Sequence, residues 1–135
     1  MQHFAFPAFL TPDEIDSGFV VTFRDLPEAI TQGETVEQCL SEASDCLAEA
    51  IAAQIDENLE IPTSSPAQTQ EYLVPVPLEI AWKAELYSAM HQCNFTVTDL
   101  ANVLGIDKDQ VRRLIDPHYQ IDQSLMEKAL ICLRY

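Results

Sequence analysis

The sequence predicts an α+β chain in two parts, residues 1–77 built from short strands around one long helix and residues 78–135 built from helices alone. Three observations predict it. Short aromatic and β-branched stretches separated by turn composition fill the first thirty residues. A single two-faced helical pattern then runs without a break to Ile55. Finally, residues 97–116 carry the spacing of two short helices joined by a tight turn.

In chain order, MQHFAFPAFL from Met1 to Leu10 alternates partly at Phe4, Phe6 and Ala8 and predicts a first strand, which Pro7 places at a sheet edge or a bulge. The polar stretch TPDEIDSG has the composition of a hairpin loop. Phe19–Phe23 is the returning strand, with Phe19, Val21 and Phe23 on one face and Val20 on the other. A third short strand is expected over residues 29–32, with Gly33 letting the chain turn sharply. Thr35 is the expected N-cap of the long helix, and Gln38 is expected to reach back to its backbone. At 100° per residue, Val36, Cys39, Leu40, Ala43, Cys46, Leu47, Ala50 and Ile51 share one side, and Glu34, Glu37, Glu42, Asp45, Glu49 and Asp56 share the other.

Residues 58–70, with two prolines and several small polar residues, form a loop. Tyr72–Val76 regains β character, while Pro75 and Pro77 remove amide donors and limit pairing on one side. The order is β-β-β-α-β. Leu78–Met90 then turns helical, with Ile80, Ala84, Tyr87 and Met90 at spacings of three or four. It follows Pro77 with almost no spacer, which argues against a flexible tether.

The stretch VTDLANVLGIDKDQVRRLID has the pattern of a helix-turn-helix. Ala101 is small where two helices cross, Gly105 supplies the turn, Val111 packs the second helix, and Leu100, Leu104, Ile106 and Leu114 fill between them. Thr96 with Asp99, and Asp107 with Gln110, supply a capping residue and its partner for each helix. Ser124–Leu133 adds a last helix with Leu125, Ala129, Leu130 and Leu133 for the core. With Val111, Leu114 and Ile115 inward, Lys108, Asp109, Arg112 and Arg113 face out, where a recognition helix meets base edges and phosphates. Asp107, Asp109 and Asp116 repel phosphate, so useful affinity is expected only from a dimer on paired half-sites. The same geometry also serves in proteins that use it only for packing or dimerisation.

Charge separates the two parts. Up to Pro77 there are fourteen acidic residues against one basic residue, Arg24, a net of −13; from Leu78 onward eight acidic face six basic, a net of −2. A surface this negative repels nucleic acid and speeds encounter with a basic protein. No basic n-region or long apolar run opens the chain, so a cytoplasmic protein with no membrane span is expected. Cys39, Cys46, Cys93 and Cys132 form no zinc spacing and are expected to be buried thiols. His3, His91 and His118 are scattered and read as surface or packing residues, with a phosphate contact open to His118.

The stretch Asp25-Leu26-Pro27 between two short strands, then Gly33-Glu34-Thr35 and an acidic amphipathic helix, resembles the N-terminal domain of HicB-type antitoxins of type II toxin-antitoxin systems. Ala29 stands where a small turn residue, often Gly, follows Leu-Pro in that family. The resemblance implies a small, degenerate ribonuclease-H-like unit that inhibits a small basic ribonuclease toxin, HicA. It also implies a C-terminal DNA-binding domain that represses the protein's own operon, here of the helix-turn-helix kind, with recognition roles on Lys108, Gln110, Arg112 and Arg113. Arg24, Asp25, Glu28, Glu42, Asp45 and Glu49 are the toxin-binding candidates, as exposed and distinctive residues.

An active ribonuclease-H-like centre needs carboxylates converging on divalent metals from strands as well as from the helix. Here Asp25 lies at a strand end, Asp13 and Asp16 lie in a loop, and Glu42, Asp45 and Glu49 form one outward stripe. The expectation is therefore a non-enzymatic antitoxin and autorepressor without metal or cofactor, partnered by a basic toxin, operator DNA and further copies of itself. The rivals are a transcriptional regulator that senses a ligand or protein and, more remotely, a metal-dependent nuclease.

Overall fold

The computed structural model describes residues 4–133, so the part of the expected first strand at residues 1–3, with His3, lies outside it. The architecture is α+β, and the chain divides into two compact units. One runs up to Ala53 and resumes over Pro62–Pro77; the other combines Gln54–Ile61 with the chain from Leu78 onward.

In the first unit, strands β1 (Ala5–Pro12), β2 (Phe19–Phe23), β3 (Ile30–Gly33) and β4 (Tyr72–Pro75) form an antiparallel sheet in the order β3-β2-β1-β4. β1 is thus a central strand, against the edge expected from Pro7. The pairing explains how the proline fits. β1 meets β4 along Ala5–Ala8 and β2 only from Ala8 to Pro12. The amide of Val76 donates to the Phe4 carbonyl at 2.9 Å. Hydrogen-bonded positions alternate along an antiparallel ladder, so Phe4, Phe6 and Ala8 bond to β4 while Pro7 faces away from it, beyond the end of β2. Pro75, opposite Ala5, is in the same phase, so its missing donor faces the open edge.

The hairpin loop shrinks to Asp13–Gly18, because Thr11 and Pro12 stay paired with Val20 and Phe19. The Asp13 carboxylate accepts the amides of Ile15 at 3.0 Å and Asp16 at 3.2 Å, an Asx-type turn, and the chain leaves through Ser17 and Gly18 at φ of 60° and 75°. A Cβ on Gly18 would run into the Gly33 carbonyl oxygen.

Phe6, Ala8, Val21, Phe23 and Val74 point to one face of the sheet and are buried, as are Cys39, Ala43, Leu47 and Ile51 of helix α1 (Val36–Asp56). The helix lies close: a Cβ on Gly33 would sit 2.9 Å from the Cys39 amide nitrogen, and Ser44 Oγ donates to the Pro75 carbonyl at 2.9 Å. Gly33 is required by this approach rather than by a left-handed turn. Thr35 Oγ1 accepts the Gln38 amide at 3.1 Å as expected, but Gln38 Oε1 reaches one residue further back, to the Glu34 amide at 2.8 Å. The opposite sheet face leaves Phe9, Ile30 and Leu73 exposed.

The second unit holds α2 (Leu78–Gln92), α3 (Val97–Leu104), α4 (Lys108–Ile115) and α5 (Gln123–Leu133). Leu86, Leu100, Val111, Met126 and Ala129 are at its centre, with Phe95, Leu104, Ile106, Ile115 and Leu125 packed around them. Met126 and Leu86 take central places that the sequence pattern assigns to neighbouring residues.

Candidate functional site

The α3–turn–α4 segment is fixed by local hydrogen bonds at each end. Thr96 Oγ1 accepts the Asp99 amide at 3.1 Å, and the Asp99 carboxylate accepts the Thr96 amide at 2.9 Å. The bond from the Thr96 amide holds the Asp99 carboxyl below its usual pKa, with the Thr96 hydroxyl acting in the same direction. Gly105 ends α3 at φ 69°, and the Ile106 amide returns to the Ala101 carbonyl at 3.1 Å. Asp107 then caps α4: its carboxylate accepts the Gln110 amide at 2.8 Å while Gln110 Oε1 accepts the Asp107 amide at 3.3 Å. Both capping boxes are those the sequence predicts.

On α4, Val111 and Leu114 are buried and Ile115 is half-buried, while Lys108, Asp109, Gln110, Arg112 and Arg113 are exposed. The four side chains expected to read DNA share this helix but are not equivalent. Gln110 has its oxygen committed to the cap. Arg112 Nη1 pairs with Asp109 Oδ1 at 2.9 Å, one turn back, so part of its charge is already matched. Lys108 and Arg113 are also exposed, on opposite flanks of the outer side of the helix.

One residue beneath this helix is missing from the sequence expectations. Lys83 on α2 is 1% exposed, and its Nζ donates to the carbonyls of Arg113 at 3.1 Å and Leu114 at 3.2 Å. Burial pushes the Lys83 ammonium below the usual lysine range, while Asp116 and Glu79 act in the opposite direction. A lysine inside a helix ordinarily marks its solvent face. The only signal that could have found it is its place in the apolar run around Ala81, Ala84 and Tyr87.

His118 follows α4 and is a surface residue as expected; its Nε2 lies 2.8 Å from Asp56 Oδ2, so a carboxylate already occupies the ring nitrogen that was open to a phosphate. Asp116 Oδ1 accepts the His118 amide at 2.9 Å. Asp56, Asp116 and His118 bring one ligand atom each within 4.8 Å of one another, but these internal pairings already account for the cluster. The bond to Asp56 raises the His118 pKa above its ordinary value near 6.5. A raised folded-state value gives stabilisation that is complete below 6.5 and disappears as pH rises through the folded-state pKa. Asp56→Asn is expected to lower the His118 ring pKa in an NMR titration; an unchanged titration would show that the pair does not persist in solution.

In the first unit the acidic stripe is where the sequence places it, with Glu42, Asp45 and Glu49 exposed along α1 and Glu28 exposed near β3. Arg24 and Asp25 are engaged instead. Arg24 donates to both carboxylate oxygens of Glu71, at 2.9 and 3.0 Å, and to the Pro66 carbonyl at 2.7 Å. The Arg24 hydrogen bond pulls the Glu71 carboxyl down, and Glu71 pushes the guanidinium up. Asp25 accepts from the Ser65 amide at 2.7 Å and hydroxyl at 2.8 Å. Together they pin the loop that returns the chain to β4. Arg24 is exposed as expected, whereas Asp25 is half-buried, and both are engaged by partners some forty residues or more away.

The thiols also depart from expectation. Cys39 is buried, Cys46 and Cys132 are half-buried, and Cys93 is exposed in the turn after α2, beyond the apolar stripe. His91 lies against the Tyr87 ring, tilted by 45° with centroids 4.3 Å apart. Tyr87, Ile55, Phe95, Arg112 and Ile115 contribute to an open groove of about 830 Å³ beside α4.

Residues 5–85 match the model of a family described as HicB_like antitoxin of bacterial toxin-antitoxin system. Antitoxin HicB of Escherichia coli is 38% identical over 128 residues, covering 93% of this chain and 92% of that protein. Antitoxin HicB 1 of Photorhabdus laumondii is 37% identical over 116 residues, covering 86% and 73%. Antitoxin HicB of Pseudomonas fluorescens is 28% identical over 107 residues, covering 78% and 73%.

Proposed function

Because the chain belongs to the HicB-like antitoxin family of bacterial toxin-antitoxin systems, we propose that it neutralises a small basic HicA-type ribonuclease with its strand-rich part. On the same reading, it represses its own operon by binding operator DNA through a helix-turn-helix formed by α3 and α4. The observation that carries the first half is the charge separation, a net of −13 before Leu78. Its single cation, Arg24, is tied to Glu71, and its acids Glu42, Asp45 and Glu49 stand in one exposed row. Such a surface steers a cationic partner and disfavours nucleic acid. Support for the second half comes from α4, capped at its start and carrying Lys108, Arg112 and Arg113 outward.

So few cations among acids bind DNA weakly one copy at a time, which makes a homodimer or higher oligomer the operator-binding form. The role is non-enzymatic and cytoplasmic. The carboxylates of α1 share one outward face, and Asp25, the nearest strand-end acid, is spent on Ser65. Among the described residues no helix is long and apolar enough to cross a membrane. A ligand-sensing regulator is the second reading, favoured by the groove beside α4. Co-purification with a small basic partner from the native host separates the two.

The quantitative test is stopped-flow mixing of the full chain with the cognate toxin at several salt concentrations. Association is expected to slow as salt rises, and the triple change Glu42→Gln, Asp45→Asn, Glu49→Gln is expected to slow it about tenfold at low salt. Salt-independent association would remove the steering role of this face, and absence of binding would remove the antitoxin assignment to this partner.

A further inference from the structure

A buried ammonium is an expensive way to fill a helix–helix contact, since taking it out of water costs several kcal/mol and an apolar side chain of similar size is commonly neutral or better. Among the described residues Lys83 is the one polar or charged residue that is buried. Its location indicates what that cost supports. Helix α4 has only eight residues, and the last four carbonyls of a helix have no partner within it. The Asp116 amide takes the Arg112 carbonyl, and Lys83 Nζ takes the next two, those of Arg113 and Leu114. The positive charge also lies at the negative end of the helix dipole. Arg112 and Arg113 belong to the turn whose carbonyls are held in this way. If that turn frayed, both guanidinium groups would lose their fixed direction while the rest of the unit stayed packed.

We propose that Lys83 is a positioning residue for DNA reading, a clamp from α2 that fixes the C-terminal turn of α4 and with it the approach of Arg112 and Arg113 to the bases. The inference rests on the DNA-binding reading above. It predicts that losing Lys83 damages discrimination between DNA sequences more than it damages the fold. Lys83→Met keeps the stem volume and removes the donors. Lys83→Arg keeps charge and donors.

The experiment uses the full chain and two duplexes, the native upstream region and a scrambled control, in fluorescence anisotropy at fixed salt, together with amide exchange by NMR. Lys83→Met is expected to lower the native-to-scrambled affinity ratio about tenfold, the scale of two carbonyls losing a charged donor. It is also expected to speed exchange at Leu114, Ile115 and Asp116, leaving α3 and α5 protected. Lys83→Arg is expected to recover most of the ratio. A lysine that served only the packing of the unit would lower binding to both duplexes alike, leaving the ratio intact. An unchanged ratio, or an exchange pattern identical to the parent's, overturns the clamp. If the parent chain shows no preference for the native duplex, the DNA-binding reading fails, and exchange in the last turn of α4 alone decides whether Lys83 holds it. Lys83→Gln, which keeps a donor too short to reach both carbonyls, replaces Lys83→Met if that variant does not fold, with the same two outcomes.

Discussion

Replacing Arg112 and Arg113 together by alanine is expected to cost roughly 1 to 3 kcal/mol on the native operator for each arginine that reads a base. Where either meets phosphate instead, the plot of log K against log salt should flatten by about 0.9 for each phosphate no longer neutralised. Both arginines are exposed on α4, and few other cations are available to compensate: from Leu78 onward six basic residues face eight acidic ones. The two should contribute unequally. Arg112 is matched to Asp109 at 2.9 Å and must exchange that partner for DNA, whereas among the described residues the Arg113 side chain has no such ion pair to give up. Arg113→Ala alone is therefore expected to cost more than Arg112→Ala alone. Fluorescence anisotropy at several salt concentrations, with a scrambled duplex as control, makes both comparisons. Toxin neutralisation should be unaffected in every variant. A double variant with unchanged affinity and slope would show that α4 is not the reading element and would leave packing or dimerisation as its role.

The local part of this structure is legible in the sequence. The strand–helix order, the apolar stripe of α1 and the two capping boxes depend on residues two to four apart, and each forms where its pattern lies. Contacts set by distant segments are not legible. β1 is central because β4, about sixty residues later, pairs with its first half. The isolated sequence around Pro7 carries no trace of that partner. Arg24 and Asp25 read as unengaged because Glu71 and Ser65 are out of range of any periodicity. Lys83 escapes for the same reason: its partners are carbonyls on another helix, and main-chain acceptors leave no mark in the residue pattern. Nominating docking residues by exposure alone is therefore weakest for charged side chains near long loops, where a distant acid or amide can claim them.

The two glycines with positive φ allow the cost of a backbone conformation to be separated from the cost of space. Gly18 at 75° and Gly105 at 69° demand nearly the same left-handed backbone, and placing alanine there costs about 1 kcal/mol from conformation alone. At Gly105 nothing lies within 4 Å of an added Cβ, so Gly105→Ala should lose only that. At Gly18 the added carbon meets the Gly33 carbonyl oxygen and comes within 2.9 Å of Glu34 Cα, both backbone atoms. Gly33 cannot retreat, because its own α-carbon faces the Cys39 amide at the start of α1. Relief would require parting the β2–β3 pair or lifting the first turn of α1, an overpacking cost of roughly 1 to 3 kcal/mol more. Gly18→Ala is thus expected to destabilise the sheet unit by about 2 to 4 kcal/mol in total, from those two contributions. Urea denaturation followed by amide exchange reports the β1–β2 ladder for Gly18, while the fluorescence of Trp82, the single tryptophan, reports the helical unit for Gly105. Equal losses at the two positions would mean that the hairpin yields freely and that the Gly18–Gly33 contact does not hold the start of α1 against the sheet.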